Sequence, residues 1–121
     1  GENKAPRYIT WSPENRSQLI RIPAAHSRQH QRIELRSPDP EANPYLAFAL
    51  LIEAGMDGVA NGMTPPDATN CNLYAANAEA IRGLSALPAS LEEARRAAAN
   101  SELIRRTIPA DLLRAYGIPL I

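Results

Sequence analysis

Between residues 32 and 36 the chain alternates charge and hydrocarbon, Arg32-Ile33-Glu34-Leu35-Arg36, and Ser37-Pro38-Asp39-Pro40 follows at once. In an extended strand successive side chains point to opposite faces. Arg32, Glu34 and Arg36 therefore share one face, and Ile33 and Leu35 turn to a core on the other. The prolines cannot continue a ladder, so the strand stops there. Residues two apart on a strand stand roughly 6.5–7 Å apart. Two guanidinium forks can thus flank one carboxylate, or a metal that it holds. On periodicity alone the run reads first as a surface strand with a solvated Arg–Glu–Arg ladder. Its surroundings point further.

Upstream, Gln18-Leu19-Ile20-Arg21-Ile22 is a second β-rich run, closed by Pro23. Gln18, Ile20 and Ile22 share one face, Leu19 and Arg21 the other. About nine residues separate the two runs, which fits an antiparallel pair with a long loop and brings Arg21 beside the charged row. His26 and His30 in that loop are four apart, a metal spacing only on a helix, and are read as bystanders. A further short strand is expected at 7–11, where Trp11, the only Trp, serves packing.

Downstream, Asn43 and Pro44 open a helix expected over 44–59. It is apolar almost all round (Leu46, Phe48, Leu50, Leu51, Ile52, Met56), so it belongs inside a larger body, and otherwise either later helices cover it or it drives self-association. Gly55 and Gly58 weaken it and Gly62 ends it. Residues 61–74 read as a loop and 75–83 as a weak helix. Ser90-Leu91-Glu92-Glu93 is a capping box that opens a helix over 91–99. Short helices follow at 102–107 and 109–116, with Gly117 as a stop. The fold class is α+β, an antiparallel strand pair followed by a helical bundle, within one domain or part of one. The chain begins Gly-Glu-Asn-Lys without an initiator Met and reads as a piece of something longer.

The net charge is zero, which favours neither nucleic acid nor a membrane surface, and no apolar run is long enough to span a bilayer. Residues 1–36 nevertheless hold seven Lys/Arg against three Glu. Cys71 is the lone cysteine, an incidental residue that fits a reducing, cytoplasmic setting. Arg16, Arg21, Arg28, Arg32 and Arg36 surround a single Glu34 within 21 residues. Arginine forks bind carboxylates and phosphates bidentately. Glu34 is then either their counter-ion or a ligand to Mg²⁺ or Mn²⁺. Fixed cations around a polyphosphate are what phosphoryl transfer needs. No Gly-rich phosphate loop is present, so the residues alone support an arginine-rich anion site on a sheet.

Several linked stretches resemble the C-terminal catalytic region of the glutamine synthetase family. They are Asn15-Arg16-Ser17 with Ile20-Arg21-Ile22-Pro23, Arg32-Ile33-Glu34-Leu35-Arg36-Ser37-Pro38-Asp39, and Ala42-Asn43-Pro44-Tyr45-Leu46. Ala54-Gly55-Met56-Asp57-Gly58 and Leu87-Pro88-Ala89-Ser90-Leu91-Glu92-Glu93-Ala94 follow in the same order, so the likeness covers about residues 11–116. The resemblance implies a homo-oligomeric ligase that joins glutamate and ammonia with ATP through γ-glutamyl phosphate. It implies that Glu34 ligates the metal, that Arg36 holds glutamate, and that Arg16, Arg21 and Arg32 face the ATP phosphates, with Arg16 catalytic. Tyr74 matches a tyrosine that some bacterial members adenylylate.

The chain departs from the pattern at Gln29, where a basic ATP contact is usual and the neighbouring Arg28 is the substitute, and its C-terminus lacks the longer tail of many double-ring members. Most metal ligands and the ammonia site of family members lie in an N-terminal part that this chain lacks, so the chain alone is expected to be inactive. A γ-glutamyl–amine ligase, with a polyamine or other amine in place of ammonia, and a non-catalytic nucleotide- or glutamate-binding module are the competing readings.

Overall fold

A computed structural model describes residues 4–120, which divide into two compact units. The first comprises residues up to Asp39 together with Pro65–Leu87, and the second Pro40–Thr64 with residues from Pro88 onward. The fold is α+β.

The first unit is built on a three-stranded sheet, β1 (Trp11–Pro13), β2 (Ile20–Ile22) and β3 (Glu34–Leu35), in that order. β2 and β3 are antiparallel, with Ile20 opposite Leu35 and Arg21 opposite Glu34. β1 runs parallel to β2, Trp11 facing Ile20. Parallel neighbours ordinarily need a crossover of about a dozen residues or more. Here residues 14–19 suffice, because the strands are short and Glu14 turns the chain at φ 71°.

All three strands differ from expectation, and the run expected over 18–22 is a strand only over Ile20–Ile22. The strand expected over 7–11 begins only at Trp11, because residues 7–9 pair elsewhere: Ile9 N–H donates to the Ser85 carbonyl (2.8 Å), Leu87 N–H to that of Arg7 (2.8 Å), and Tyr8 bridges to Ala86. The strand expected over 32–36 is ordered as a ladder only at Glu34–Leu35, with Arg36 N–H still donating to the Leu19 carbonyl at 2.9 Å. Continued in the other direction, the same register sets Pro23 opposite Arg32, and proline has no N–H to give.

Residues 65–74 have no regular structure but are fastened to the sheet. Trp11 Nε1 donates to the Pro66 carbonyl (2.6 Å), Thr69 N–H to the Trp11 carbonyl (2.9 Å), and Gln18 Nε2 to the Cys71 carbonyl (3.0 Å). Ser12, Ser17, Gln18 and Thr10 are buried with Leu19, so this interior is substantially polar and depends on such pairing. The helix expected over 75–83 is replaced by successive turns. Asn77 Oδ1 accepts from Ala80 N–H (2.9 Å) and Gly83 sits at φ 80°. A segment this short without a packed face falls below the length at which a helix holds itself.

The second unit contains α1 (Pro44–Ala60), α2 (Leu91–Ala99), α3 (Glu102–Thr107) and α4 (Ala110–Ala115). Its caps follow local chemistry. Asn43 Oδ1 accepts from Tyr45 and Leu46 N–H, and Ser90 Oγ from Glu93 N–H. α1 ends with Gly62 N–H on the Val59 carbonyl and Met63 N–H on that of Gly58, a Schellman arrangement that needs the φ of 58° at Gly62. α4 ends the same way around Gly117, where an added Cβ would also lie 3.1 Å from the Arg95 guanidinium. Ala99, Ile108 and Leu113 form the buried centre, and Arg106 ties α3 to Asp57 of α1 at 2.8 Å. The outward stripe of α1, Tyr45, Phe48, Ile52, Met56 and Val59, is exposed.

This distribution gives a direct contrast. Leu113, 3% exposed, should cost about 2–5 kcal/mol when cut to alanine, whereas Phe48→Ala, at 63% exposure, should change stability by well under about 1 kcal/mol. Urea unfolding of the two variants checks the assignment of inside and outside.

Candidate functional site

The site is set by the β2–β3 register. With Arg21 opposite Glu34, their side chains meet on one face, and the guanidinium grips the carboxylate with both ends of its fork: Nε to Oε2 at 2.7 Å and Nη2 to Oε1 at 2.8 Å. Two residues along β3, Arg36 brings its Nε to 3.7 Å from the same Oε2. Arg16 lies near enough to add its field at Glu34. The Arg21 side chain is 14% exposed and that of Glu34 41%, so the cation is sunk behind a carboxylate that faces solvent.

The electrostatics follow from this geometry. The hydrogen bonds from Arg21 hold the Glu34 carboxyl below its ordinary range, desolvation opposes them, and the charges of Arg21, Arg36 and Arg16 add to the lowering. The same bond to Glu34 holds Arg21 above its usual value.

Arg16 is carried by a loop locked from two sides. Asn15 Oδ1 accepts from Ser17 N–H (2.9 Å) and Oγ (2.8 Å), while Asn15 Nδ2 donates to the Cys71 carbonyl (3.1 Å). Ser17 Oγ accepts in turn from Leu73 N–H at 2.9 Å. The Asn-Arg-Ser run is therefore two fasteners around one presented arginine. Asn15, Ser17 and Gln18 were not singled out for this from the sequence, since their partners lie more than fifty residues away.

Arg21, Glu34, Arg36 and Arg16 come together. Arg32 lies beyond the ladder, exposed, with Nη1 on the His30 carbonyl at 3.4 Å. Arg28 and His30 form a single 3-10 turn, and His30 Nδ1 pairs with Ser27 Oγ at 2.8 Å. Tyr74 has its hydroxyl 3.2 Å from Arg36 Nη1, at the edge of the cluster. Cys71 is exposed and offers its carbonyl to the loop.

Among the described residues no three His, Cys, Asp or Glu side chains gather as a metal site. Glu34 stands as a single carboxylate with both oxygens engaged by Arg21. A hard divalent cation takes six or more oxygen ligands, several of them from water or substrate. The described residues therefore do not build a metal centre by themselves. What they build is an array of guanidinium groups arranged about one carboxylate, suited to bind phosphate or carboxylate oxygens.

A family model described as "Glutamine synthetase, catalytic domain" matches residues 1–117. The chain belongs to the glutamine synthetase family. It is 43% identical over 115 residues to the glutamine synthetase of Methanosarcina mazei, which covers 93% of this chain and 26% of that protein. It is 43% identical over 107 residues to that of Staphylococcus aureus, covering 87% of the chain and 24% of the relative. Among solved structures, one described as "GmaS/ADP complex-Conformation 1" superposes with a TM-score of 0.78 at 31% identity, over 94% of this chain and 26% of that one. The chain thus spans about a quarter of the length of the curated relatives it matches. No described helix is long and apolar enough to cross a membrane.

A pH titration tests the Arg21–Glu34 pair. A carboxyl whose folded pKa is depressed contributes stability that is complete above its unfolded value and is lost as pH falls through the folded one. The contribution of Glu34 should therefore be intact above the ordinary glutamate value of 4.5 and fade only at lower pH. The ¹³C shift of the Glu34 carboxyl should titrate below 4.5 in the native chain and move up in Arg21→Gln. A native midpoint at or above 4.5 would contradict the pairing.

Proposed function

We propose that this chain is the arginine-bearing part of an ATP-dependent ligase that forms glutamine from glutamate and ammonia through γ-glutamyl phosphate. The observation that carries the reading is the convergence of Arg16, Arg21 and Arg36 on Glu34. Phosphoryl transfer from ATP to the glutamate γ-carboxylate spreads negative charge over the equatorial phosphate oxygens, and prepositioned cations stabilise it.

In this reading Arg16 and Arg21 meet the transferring phosphate, Arg16 as the catalytic arginine. Arg36 holds glutamate by a carboxylate, and Arg32, further along the chain, meets the ATP phosphates once they bind. Glu34 keeps the like-charged arginines close together before substrate arrives. ATP is the substrate that supplies the phosphate, and Mg²⁺ or Mn²⁺ accompanies it. For Glu34 to serve as a metal ligand, further carboxylates must come from beyond the described residues. Tyr74, a residue 45% exposed, is the position we assign to adenylylation. Assembly as a homo-oligomer in the cytoplasm belongs to the same reading.

The arginines recognise anions and leave the amine to other residues. A γ-glutamyl–amine ligase would use this chain in the same way, and an amine screen of the full-length protein separates the two.

Two results are expected. The purified 121-residue chain should release no phosphate from ATP in a glutamate- and ammonia-dependent manner, and such release would overturn the partial-site reading. In the full-length protein Glu34→Ala should lower kcat/KM by about 10²-fold or more, the scale for losing one preorganised electrostatic group. Unchanged turnover would remove the role given to Glu34, and a full-length protein with no ligase turnover before substitution would instead favour a binding module without chemistry.

A further inference from the structure

We propose that Tyr74 is a positioning residue for the arginine site, its hydroxyl fixing where the Arg36 guanidinium stands. Arg36 Nη1 donates to Tyr74 Oη at 3.2 Å. The same hydroxyl faces two main-chain carbonyls, those of Arg16 at 3.0 Å and Lys4 at 2.5 Å. A phenol has one proton and two lone pairs. That single proton serves one carbonyl at a time, and either choice leaves an oxygen lone pair turned to the Arg36 side chain.

The tyrosine is itself held. Its N–H donates to Asn72 Oδ1 (3.0 Å), the preceding Leu73 N–H donates to Ser17 Oγ (2.9 Å), and the Cys71 carbonyl accepts from Asn15 and Gln18. The ring thus sits on a loop fastened to residues 15–18 and reaches back to the strand that carries Arg36. Glu34 does not do the same for Arg36, because Nε stands 3.7 Å from Oε2, beyond a hydrogen bond, while Arg21 takes both carboxylate oxygens. The bond from Nη1 to Tyr74 restricts rotation of the Arg36 guanidinium and leaves its Nη2 donors for a ligand, and a fixed donor geometry is what selective capture of a carboxylate requires. The value of Tyr74 to glutamate binding rests on the glutamate role proposed for Arg36. The tie between the two side chains does not.

The test is Tyr74→Phe in the whole 121-residue chain, read by ¹H–¹⁵N spectra of the arginine side chains. The Arg36 Nε–H signal should shift and its guanidinium hydrogens should exchange on the order of fivefold faster, the factor a hydrogen bond of average net strength protects. The Arg21 Nε–H and Trp11 indole signals should stay in place, which a general loosening of the unit would not allow. An Arg36 signal unchanged in position and exchange overturns the proposal, and so does one that moves only together with Arg21 and Trp11.

If Tyr74→Phe does not fold, Arg36→Gln reads the same bond from its other end. The ¹³Cζ shift of Tyr74 should then move, and a fixed shift overturns the proposal. The functional reading is tested apart from this by Arg36→Lys in the full-length ligase. The KM for glutamate should rise at least tenfold with that for ATP unchanged. An unchanged glutamate KM, beside an Arg36 signal that responds to Tyr74→Phe, would remove the glutamate role and leave the tie standing.

Discussion

The cross-strand grip of Arg21 on Glu34 is the interaction from which the rest of the site follows. Three guanidinium groups in one small region repel each other, and a bidentate carboxylate among them offsets that repulsion where it is greatest. The grip also reads out the register. Slipping β3 by one residue would turn Glu34 to the opposite face and bring Ile33 or Leu35 into the charged row. The alternation of 32–36 and the proline that ends β2 leave a single productive alignment, and the Arg36 N–H bond to the Leu19 carbonyl closes it at the far end. Electrostatics and strand geometry thus specify the same pairing.

Much of this was legible in the sequence, and the parts that were not have a common cause. The α+β class, an antiparallel pairing between the 18–22 and 32–36 runs (realised over Ile20–Arg21 and Glu34–Leu35) and the meeting of Arg21 with Glu34 follow from period-two alternation and loop length. Glycine stops such as Gly62 and Gly117 are readable because a left-handed backbone position is a local demand. The unread features depend on partners distant in sequence. Residues 7–9 lost their strand to Ser85–Leu87, and β1 acquired a parallel neighbour through a connection too short for the usual rule. Residues 75–83 had helical composition but no packed face. Arg32 left the row because a proline on the neighbouring strand ended the ladder, which is visible only once the register is known. Tyr74 met Arg36 through a loop whose irregular path is written in side-chain hydrogen bonds.

The two units are built on different economies. The sheet unit buries Ser12, Ser17 and Gln18 and is held by specific hydrogen bonds across long sequence separations, so its stability is tied to geometry. The helical unit relies on local capping and a small apolar centre at Ala99, Ile108 and Leu113, while α1 leaves a stripe of large apolar side chains in solvent. An apolar stripe of that extent is unusual on a monomeric soluble protein. It belongs to a chain that spans about a quarter of the curated relatives it matches. The catalytic chemistry proposed here asks of this chain a set of prepositioned cations, and it is the hydrogen-bonded sheet unit that carries them.

The most direct measurement is a titration of the chain with ATP and magnesium, then with glutamate, following the arginine Nε–H signals. If the arginines are an anion site, Arg16 and Arg21 respond to the nucleotide and Arg36 responds to glutamate, while Arg95 and Arg106 of the helical unit stay in place. If all arginine signals remain fixed at millimolar ligand, or if those of the helical unit move as much as those around Glu34, the central claim is wrong.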